Sequence, residues 1–172
     1  MKKISIRRLV MCALFAALSY VATLLPIPVP MLHGYVNIGD CMVLLCAFML
    51  GGLFGAFSVG AGTALADITL SFALYAPATF VIKTLMAFVA YLFFRKSGIL
   101  MRAVGCVVAE AIMVLGYFIF EYFLYGMGAL ASVTGNLIQA GTNAIIAFVL
   151  ISFFSKDKNL KKLTLGNEKS GN

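Results

Sequence analysis

Residues 77–95, PATFVIKTLMAFVAYLFFR, decide the class of this chain. A proline opens the run, an arginine closes it, and almost everything between them is apolar. At 1.5 Å per residue, a helix over this stretch is about 28 Å long, close to the thickness of a bilayer's hydrocarbon core. The exception inside the run is Lys83. A charge at membrane depth is costly, so it needs a partner or a task.

Five more segments of this kind flank the run. Helices are expected over about 6–25, 40–50, 54–72, 103–125 and 131–154, with 77–95 as the fourth and 155–172 as a charged tail. The second is short for a full span. Pro26, Pro28 and Pro30 stiffen the start of the loop before it, and Gly51, Gly52 and Gly55 mark a tight turn after it. Of 172 residues, 63% are hydrophobic and 11% charged, a composition that belongs in lipid rather than in water. The expected fold class is an all-α integral membrane protein, one domain of six transmembrane helices. No polar stretch is long enough for a soluble catalytic domain.

The basic residues orient the chain. Lys2, Lys3, Arg7 and Arg8 precede the first run, Arg95, Lys96 and Arg102 lie between the fourth and fifth, and five lysines follow the sixth. The loops after the first, third and fifth runs carry no Lys or Arg. Both termini are therefore expected on the cytoplasmic side. The basic N-terminus resembles a signal peptide, but it reads as an uncleaved helix, because removing it would set the basic loops on opposite sides. The net charge of +7 is a positive-inside signal here and gives no nucleic-acid site. Cys12, Cys41, Cys46 and Cys106 lack metal or redox spacing and read as buried structural residues.

Polar residues gather at one depth. Asp67, Lys83 and Glu121 each fall roughly 6–9 Å below the outer surface, counted along their helices. Asn136, Gln139 and Asn143 share one face of the sixth helix, and Tyr117 and Glu121 share one stripe of the fifth. His33, Tyr35 and Asn37 of the first loop and Tyr75 of the third lie above them. This set describes a pocket open to the outside and roofed by loops, suited to a small, flat, polar heteroaromatic ligand. The charges of Asp67, Lys83 and Glu121 sum to minus one, which favours a neutral or weakly cationic ligand. Simpler roles remain open. Asp67 and Lys83 can neutralise each other, Asp40 can cap the second helix, Asn143 can bond between helices, and Tyr75, Tyr122 and Tyr125 can anchor at the interface. Glu110, about eight residues in from Arg102, is expected to snorkel or to pair with a basic residue. On the first helix, Ala13 and Ala17, with Ala16 and Ser19 beside them, permit close approach of another helix, inside the chain or in a partner.

With these features the chain resembles the substrate-binding S component of an energy-coupling factor (ECF) vitamin transporter over about residues 5–155. The strings Asn37-Ile38-Gly39-Asp40, Ala64-Leu65-Ala66-Asp67 and Tyr75-Ala76-Pro77-Ala78-Thr79-Phe80 resemble the riboflavin-type group, which includes proteins assigned to pyridoxine and hydroxymethylpyrimidine. The resemblance implies a subunit of a prokaryotic cell membrane that captures a vitamin at the outer face. It implies docking on a transmembrane coupling subunit carried by two ATPases, followed by toppling and release inside. It implies Ala13 and Ala17 as the docking helix's motif and about Pro26 to Gly39 as a lid. It further implies ligand contacts in the regions holding Lys83, Tyr117, Glu121, Asn136, Gln139 and Asn143. The absence of Trp speaks against a tryptophan-stacked thiamine pocket. Pyridoxine or hydroxymethylpyrimidine is the favoured ligand, with riboflavin or another vitamin as the alternative.

Other classes fit less well. An intramembrane enzyme finds one His, no metal cluster and no Ser/His/Asp arrangement, and Glu110 and Glu121 are about 16 Å apart along one helix. No cofactor is implied. ATP use by this chain is excluded by the lack of a phosphate-binding loop. A small ion-coupled carrier using Asp67, Glu110 and Glu121 stays open, although no inverted repeat is evident. A purely structural subunit would leave the polar outer level without a purpose.

Overall fold

The computed structural model describes residues 5–25, 27–28, 35–96 and 98–156. Six α-helices dominate it: α1 (Ile6–Thr23), α2 (Gly39–Met49), α3 (Gly52–Thr69), α4 (Ala76–Phe94), α5 (Ile99–Tyr125) and α6 (Leu130–Lys156). A single 3-10 turn, Gly126–Ala129, joins α5 to α6. Between α1 and α2 a minimal antiparallel ribbon pairs β1 (Ile27–Pro28) with β2 (Tyr35–Val36), Ile27 opposite Val36 and Pro28 opposite Tyr35. The expected site residue His33 and the tail from 157 onward lie outside the described residues.

Local chemistry sets the helix ends. The Ser5 hydroxyl caps α1 by accepting the Arg8 N–H at 3.3 Å. Pro77 sits in the first turn of α4, where its missing N–H costs nothing. The α2–α3 turn needs glycine at two left-handed positions, Gly51 (φ 59°) and Gly52 (φ 67°), and a Cβ on Gly51 would stand 2.4 Å from the Tyr91 ring. Gly55, expected in that turn, is instead in the first turn of α3. Gly98 (φ 127°) stops the chain before α5, which begins at Ile99 rather than near Ala103.

α2 is the hub of the bundle and packs on α1, α3, α4 and α6. Nine of its eleven residues are buried, and Val43, Leu44 and Cys46 are wholly enclosed. At about 16 Å it is too short to cross a bilayer unaided. Four segments are long and apolar enough to cross: α1, α3, α4 and the continuous stretch from α5 through α6. Their outward faces carry bare aliphatic and aromatic side chains, such as Val81, Val107 and Ile145, as lipid-facing helices do.

α1 turns two different faces to its surroundings. Phe15, Ser19, Ala22 and Thr23 are buried. The backbones of α1 and α3 touch so closely that a Cβ on Gly62 would stand 2.2 Å from the Ala16 carbonyl oxygen. Internal packing thus uses Ala16 and Ser19. Ala13 and Ala17 are exposed on the opposite face with Leu9, Val10, Leu14 and Leu18.

The described basic residues outside the helix cores gather at one end of the bundle. Arg8 lies over the Phe54 ring at 5.4 Å, Arg95 over Tyr91 at 5.5 Å and Arg102 over Phe48 at 5.8 Å. Arg102 also donates to Ser155 Oγ at 2.6 Å, tying the start of α5 to the end of α6. The ribbon, the start of α2 and the start of α4 lie at the other end.

Candidate ligand site and its latch

The start of α2 is held by α4 and α6 through a chain of buried polar contacts. Asn37 first folds the entering segment, its Oδ1 accepting the Gly39 N–H at 2.9 Å. Only glycine fits at 39, since a Cβ would stand 2.3 Å from Thr23 Oγ1. Asn37 N–H then donates to Gln139 Oε1 (3.1 Å), and the Asn37 carbonyl accepts from Asn143 Nδ2 (2.8 Å). Asn143 Oδ1 accepts the Cys41 N–H (2.9 Å). Gln139 Nε2 donates to Asp40 Oδ2 (2.7 Å), while Asp40 Oδ1 takes the Lys83 ammonium in a buried salt bridge. The far side of that ammonium faces the Tyr117 ring, 5.3 Å from its centroid, and Tyr117 Oη is paired with Thr79 Oγ1 at 2.9 Å.

A second cluster lies further out. Glu121 accepts from Tyr75 Oη at 3.4 Å and from Ser132 Oγ. Tyr75 is wedged edge-on between Phe72 and Phe120, with ring centroids 6.2 and 5.3 Å away. This clasp joins the α3–α4 connection to α5 and α6. Asn136 stands between the two clusters, one turn from Ser132 and one from Gln139 on the same helix face. It is half-buried, and its side chain makes no hydrogen bond among the described residues.

Several expectations need correcting. Lys83 does not pair with Asp67; its partner is Asp40, because the short α2 brings its first turn to the depth of Lys83. Asp40 is not a cap either: Ile38 occupies that position, with no side-chain cap bond, and both Asp40 oxygens are spent on Lys83 and Gln139. Counting Asp67, Lys83 and Glu121 as one charge set therefore omitted the acid that matters most. Asp67 is buried beside Thr79, and its Oδ2 has no hydrogen-bond partner among the described residues. Glu110 neither snorkels nor pairs with a basic residue. It is 3% exposed on the inward stripe of α5, beside Cys106, Ala109 and Met113, and both carboxylate oxygens lack hydrogen-bond partners among the described residues. Gln139, Asn143 and Asn37 come together as expected but bond one another. Glu121 and Tyr75 form a separate group.

Ser132, Thr79 and Asp40 are site residues that the sequence reading passed over or misassigned. The signal for Asp40 was there: a lone intramembrane lysine needs an acid at equal depth. Ser132 and Thr79 carried none beyond their helix registers. Among the described residues, no group of three or more His, Cys, Asp and Glu stands ready for a metal ion. An open groove of about 310 Å³ between Leu53 and Phe57 of α3 and Phe80, Val81, Thr84, Leu85 and Phe88 of α4 is almost wholly apolar, and Thr84 is its one polar side chain.

The fold and family are established by likeness to known proteins. The sequence pattern of the family described as "ECF-type riboflavin transporter, S component" matches residues 3–156. The chain belongs to this family, and so is a membrane-embedded transporter subunit rather than an enzyme. Among its relatives is a Pyrococcus woesei protein described as "Uncharacterized protein in gap 3'region", 36% identical over 132 residues, which are 76% of this chain and 88% of the relative. A solved chain described under "Structure and mechanism of the S component of a bacterial ECF transporter" has the same fold. Its TM-score is 0.72, at 22% identity, over 87% of this chain and 95% of that one.

Proposed function

We propose that this chain is the substrate-capture subunit of an ECF-type importer for a small B-type vitamin or precursor. It sits in a prokaryotic cell membrane, crosses it with six helices and keeps both termini on the cytoplasmic side. The gathering of Arg8, Arg95 and Arg102 at one end of the bundle supports that orientation.

The observation that carries the ligand reading is the interval between latch and clasp. Along α6, Ser132 and Gln139 are about 10 Å apart. Asn136 lies in this interval with an amide that makes no hydrogen bond among the described residues, and Tyr117 and Tyr75 belong to the polar contacts on either side of it. The unpartnered Asp67 oxygen supplies an acceptor for a ligand N–H or O–H. A single substituted heteroaromatic ring matches that spacing, so pyridoxine or hydroxymethylpyrimidine is the preferred ligand. Lys83, Tyr117, Glu121, Asn136, Asp67 and Tyr75 surround it. Asn37, Gln139 and Asn143 close over it, and His33, which lies outside the described residues, is a further proposed contact. Riboflavin is the second reading, favoured by the family's description. The exposed Ala13 and Ala17 face is the surface for the coupling subunit, which in turn carries two ATPases.

The deciding experiment is identification of the small molecule that co-purifies in detergent, by heat release and mass spectrometry, followed by thermal-shift assays with pyridoxine, hydroxymethylpyrimidine and riboflavin. One stoichiometric vitamin names the substrate. An empty protein that no vitamin stabilises would overturn the capture reading. Ala13→Trp with Ala17→Trp should preserve binding and abolish uptake in the assembled importer; uptake at the wild-type rate would remove that face from the interface.

A further inference from the structure

The groove between α3 and α4 plays no part in the site described above. Leu53, Phe57, Val81 and Leu85 line it and are exposed, so it opens on the surface that a membrane-embedded chain presents to lipid. A close approach of the two helices shapes it. A Cβ on Gly60 would stand 2.2 Å from Thr84 Oγ1 and 2.9 Å from the Phe80 carbonyl oxygen, and Phe57 meets Phe80 with ring centroids 5.9 Å apart. The Thr84 hydroxyl is enclosed there. What stays open is hydrocarbon, which offers dispersion contact to an apolar chain and no hydrogen bond to a polar solute.

At its Leu53 end the groove meets a cation. The Arg8 guanidinium lies against both sequence neighbours of Leu53: it is 5.4 Å from the centre of the Phe54 ring, and its Nη2 would stand 3.2 Å from a Cβ on Gly52. Arg8 Nε is enclosed without a hydrogen-bond partner, and the one salt bridge among the described residues is that of Lys83 with Asp40. Arg8 is thus a positioned charge at the end of an apolar groove, with no anion among the described residues to meet it. Phosphate is an anion whose oxygens fit the N–H fork of a guanidinium. The volume speaks to the other occupant. About 310 Å³ is less than a single turn of an α-helix, a cylinder about 10 Å across and 5.4 Å tall, or roughly 420 Å³. One extended chain fits such a groove better than a helix of a partner subunit or of a second copy.

We propose that the α3–α4 groove binds one anionic phospholipid. An acyl chain lies in the groove, and the headgroup phosphate takes the free N–H groups of Arg8 in the leaflet on the Arg8 side. The groove selects a chain, and Arg8 selects a net-negative headgroup over a zwitterionic one. One Arg near a membrane surface supplies about a fivefold preference of this kind. The inference requires only that the chain is embedded in a membrane, so it stands or falls apart from the vitamin reading and from the direction in which the chain faces.

The test uses the lack of tryptophan in this chain, which lets a single introduced one report its own surroundings. Phe57→Trp places the reporter in the groove, and Ile145→Trp, on an exposed stretch of α6, is the lipid-facing control. The full chain is reconstituted in mixed vesicles of phosphatidylcholine and phosphatidylglycerol, with bromine on the acyl chains of one lipid or the other, and quenching of the tryptophan is read. Phe57→Trp should show about a fivefold preference for phosphatidylglycerol, and Ile145→Trp none. Adding Arg8→Gln to Phe57→Trp should erase the preference while both brominated lipids still quench. Val81→Phe with Leu85→Phe, which fills the groove and leaves Arg8 in place, should erase it as well. Equal preference at the two reporters would mean ordinary boundary lipid and overturn the proposal, as would a preference that survives Arg8→Gln or the filled groove. Loss of the preference in excess inorganic phosphate would overturn it in favour of a free-anion site. A groove tryptophan shielded from both lipids, beside a quenched control, would overturn it in favour of a covering protein chain. Should Phe57→Trp fail to fold, Leu53→Trp carries the reporter one turn nearer the end of the groove.

Discussion

The latch around Asp40 and the clasp around Glu121 are both carboxylates joined to α6, yet they are built on different physics. Asp40 is fully buried, is shared between an ammonium and an amide, and holds the start of α2 to two helices. Glu121 is buried too, at 8% exposed, but it takes two neutral hydroxyls and lies next to Tyr122 and within one turn of Tyr125, both of which are exposed. A buried ion pair is costly to break and adds little net stability over an apolar filling. A carboxylate with neutral donors near water is cheap to disturb. The first arrangement fixes the start of α2 to its neighbours, whereas the second is a weaker tie.

The largest effect separating them is expected at Lys83. Lys83→Met leaves Asp40 buried with no second cation among the described buried residues. It should cost about 3–5 kcal/mol, read as a large drop in thermal midpoint in detergent. Adding Asp40→Leu should recover most of that loss, because the pair is then replaced as a whole. Glu121→Gln, the matching change in the clasp, should cost less than about 1.5 kcal/mol. Equal losses at the two sites would erase the distinction.

The next effect tests whether the latch governs the start of α2 rather than the whole bundle. Asn143→Ala deprives the Cys41 N–H and the Asn37 carbonyl of their partners. It should cost about 2 kcal/mol and speed hydrogen exchange at the start of α2 more than in α3 or α5. A uniform rise in exchange across all helices would mean the start of α2 has no independent opening.

Class and charge placement were legible in the sequence because hydrocarbon enforces them: long apolar runs and basic residues at their ends leave few alternatives. The face of α6 was legible for the same reason, since Asn136, Gln139 and Asn143 recur at helical spacing. Pairing was not. Asp40 lies 43 residues from Lys83, and only the packing of a short central helix brings them to one depth. Glu110 was misread because distance along α5 says nothing about which way its face turns. Ala13 and Ala17 were read beside Ala16 and Ser19, and only the α1–α3 contact at Gly62 separates an internal face from an exposed one.

The smallest effects are expected in the clasp, and their pH dependence distinguishes it from the latch. Burial first, then contact with Tyr125 and the Glu121 charge, raise the Tyr75 phenol well above its ordinary value. It is therefore a neutral donor throughout the physiological range. The unfolded chain would release this proton near pH 10 and the folded chain only above that. Between the two, the unfolded state binds fewer protons, so this group's contribution to stability is constant below about pH 10 and falls as pH rises beyond it. Tyr75→Phe should cost about 1 kcal/mol or less at neutral pH. It should also lessen the alkaline decline in thermal midpoint relative to wild type, and Ser132→Ala should lower the midpoint without touching that decline. A Tyr75→Phe protein whose alkaline profile overlays the wild type would mean the phenol is free of Glu121 in solution. The clasp would then be two independent side chains, and the latch alone would tie the helices together at the ribbon end of the bundle.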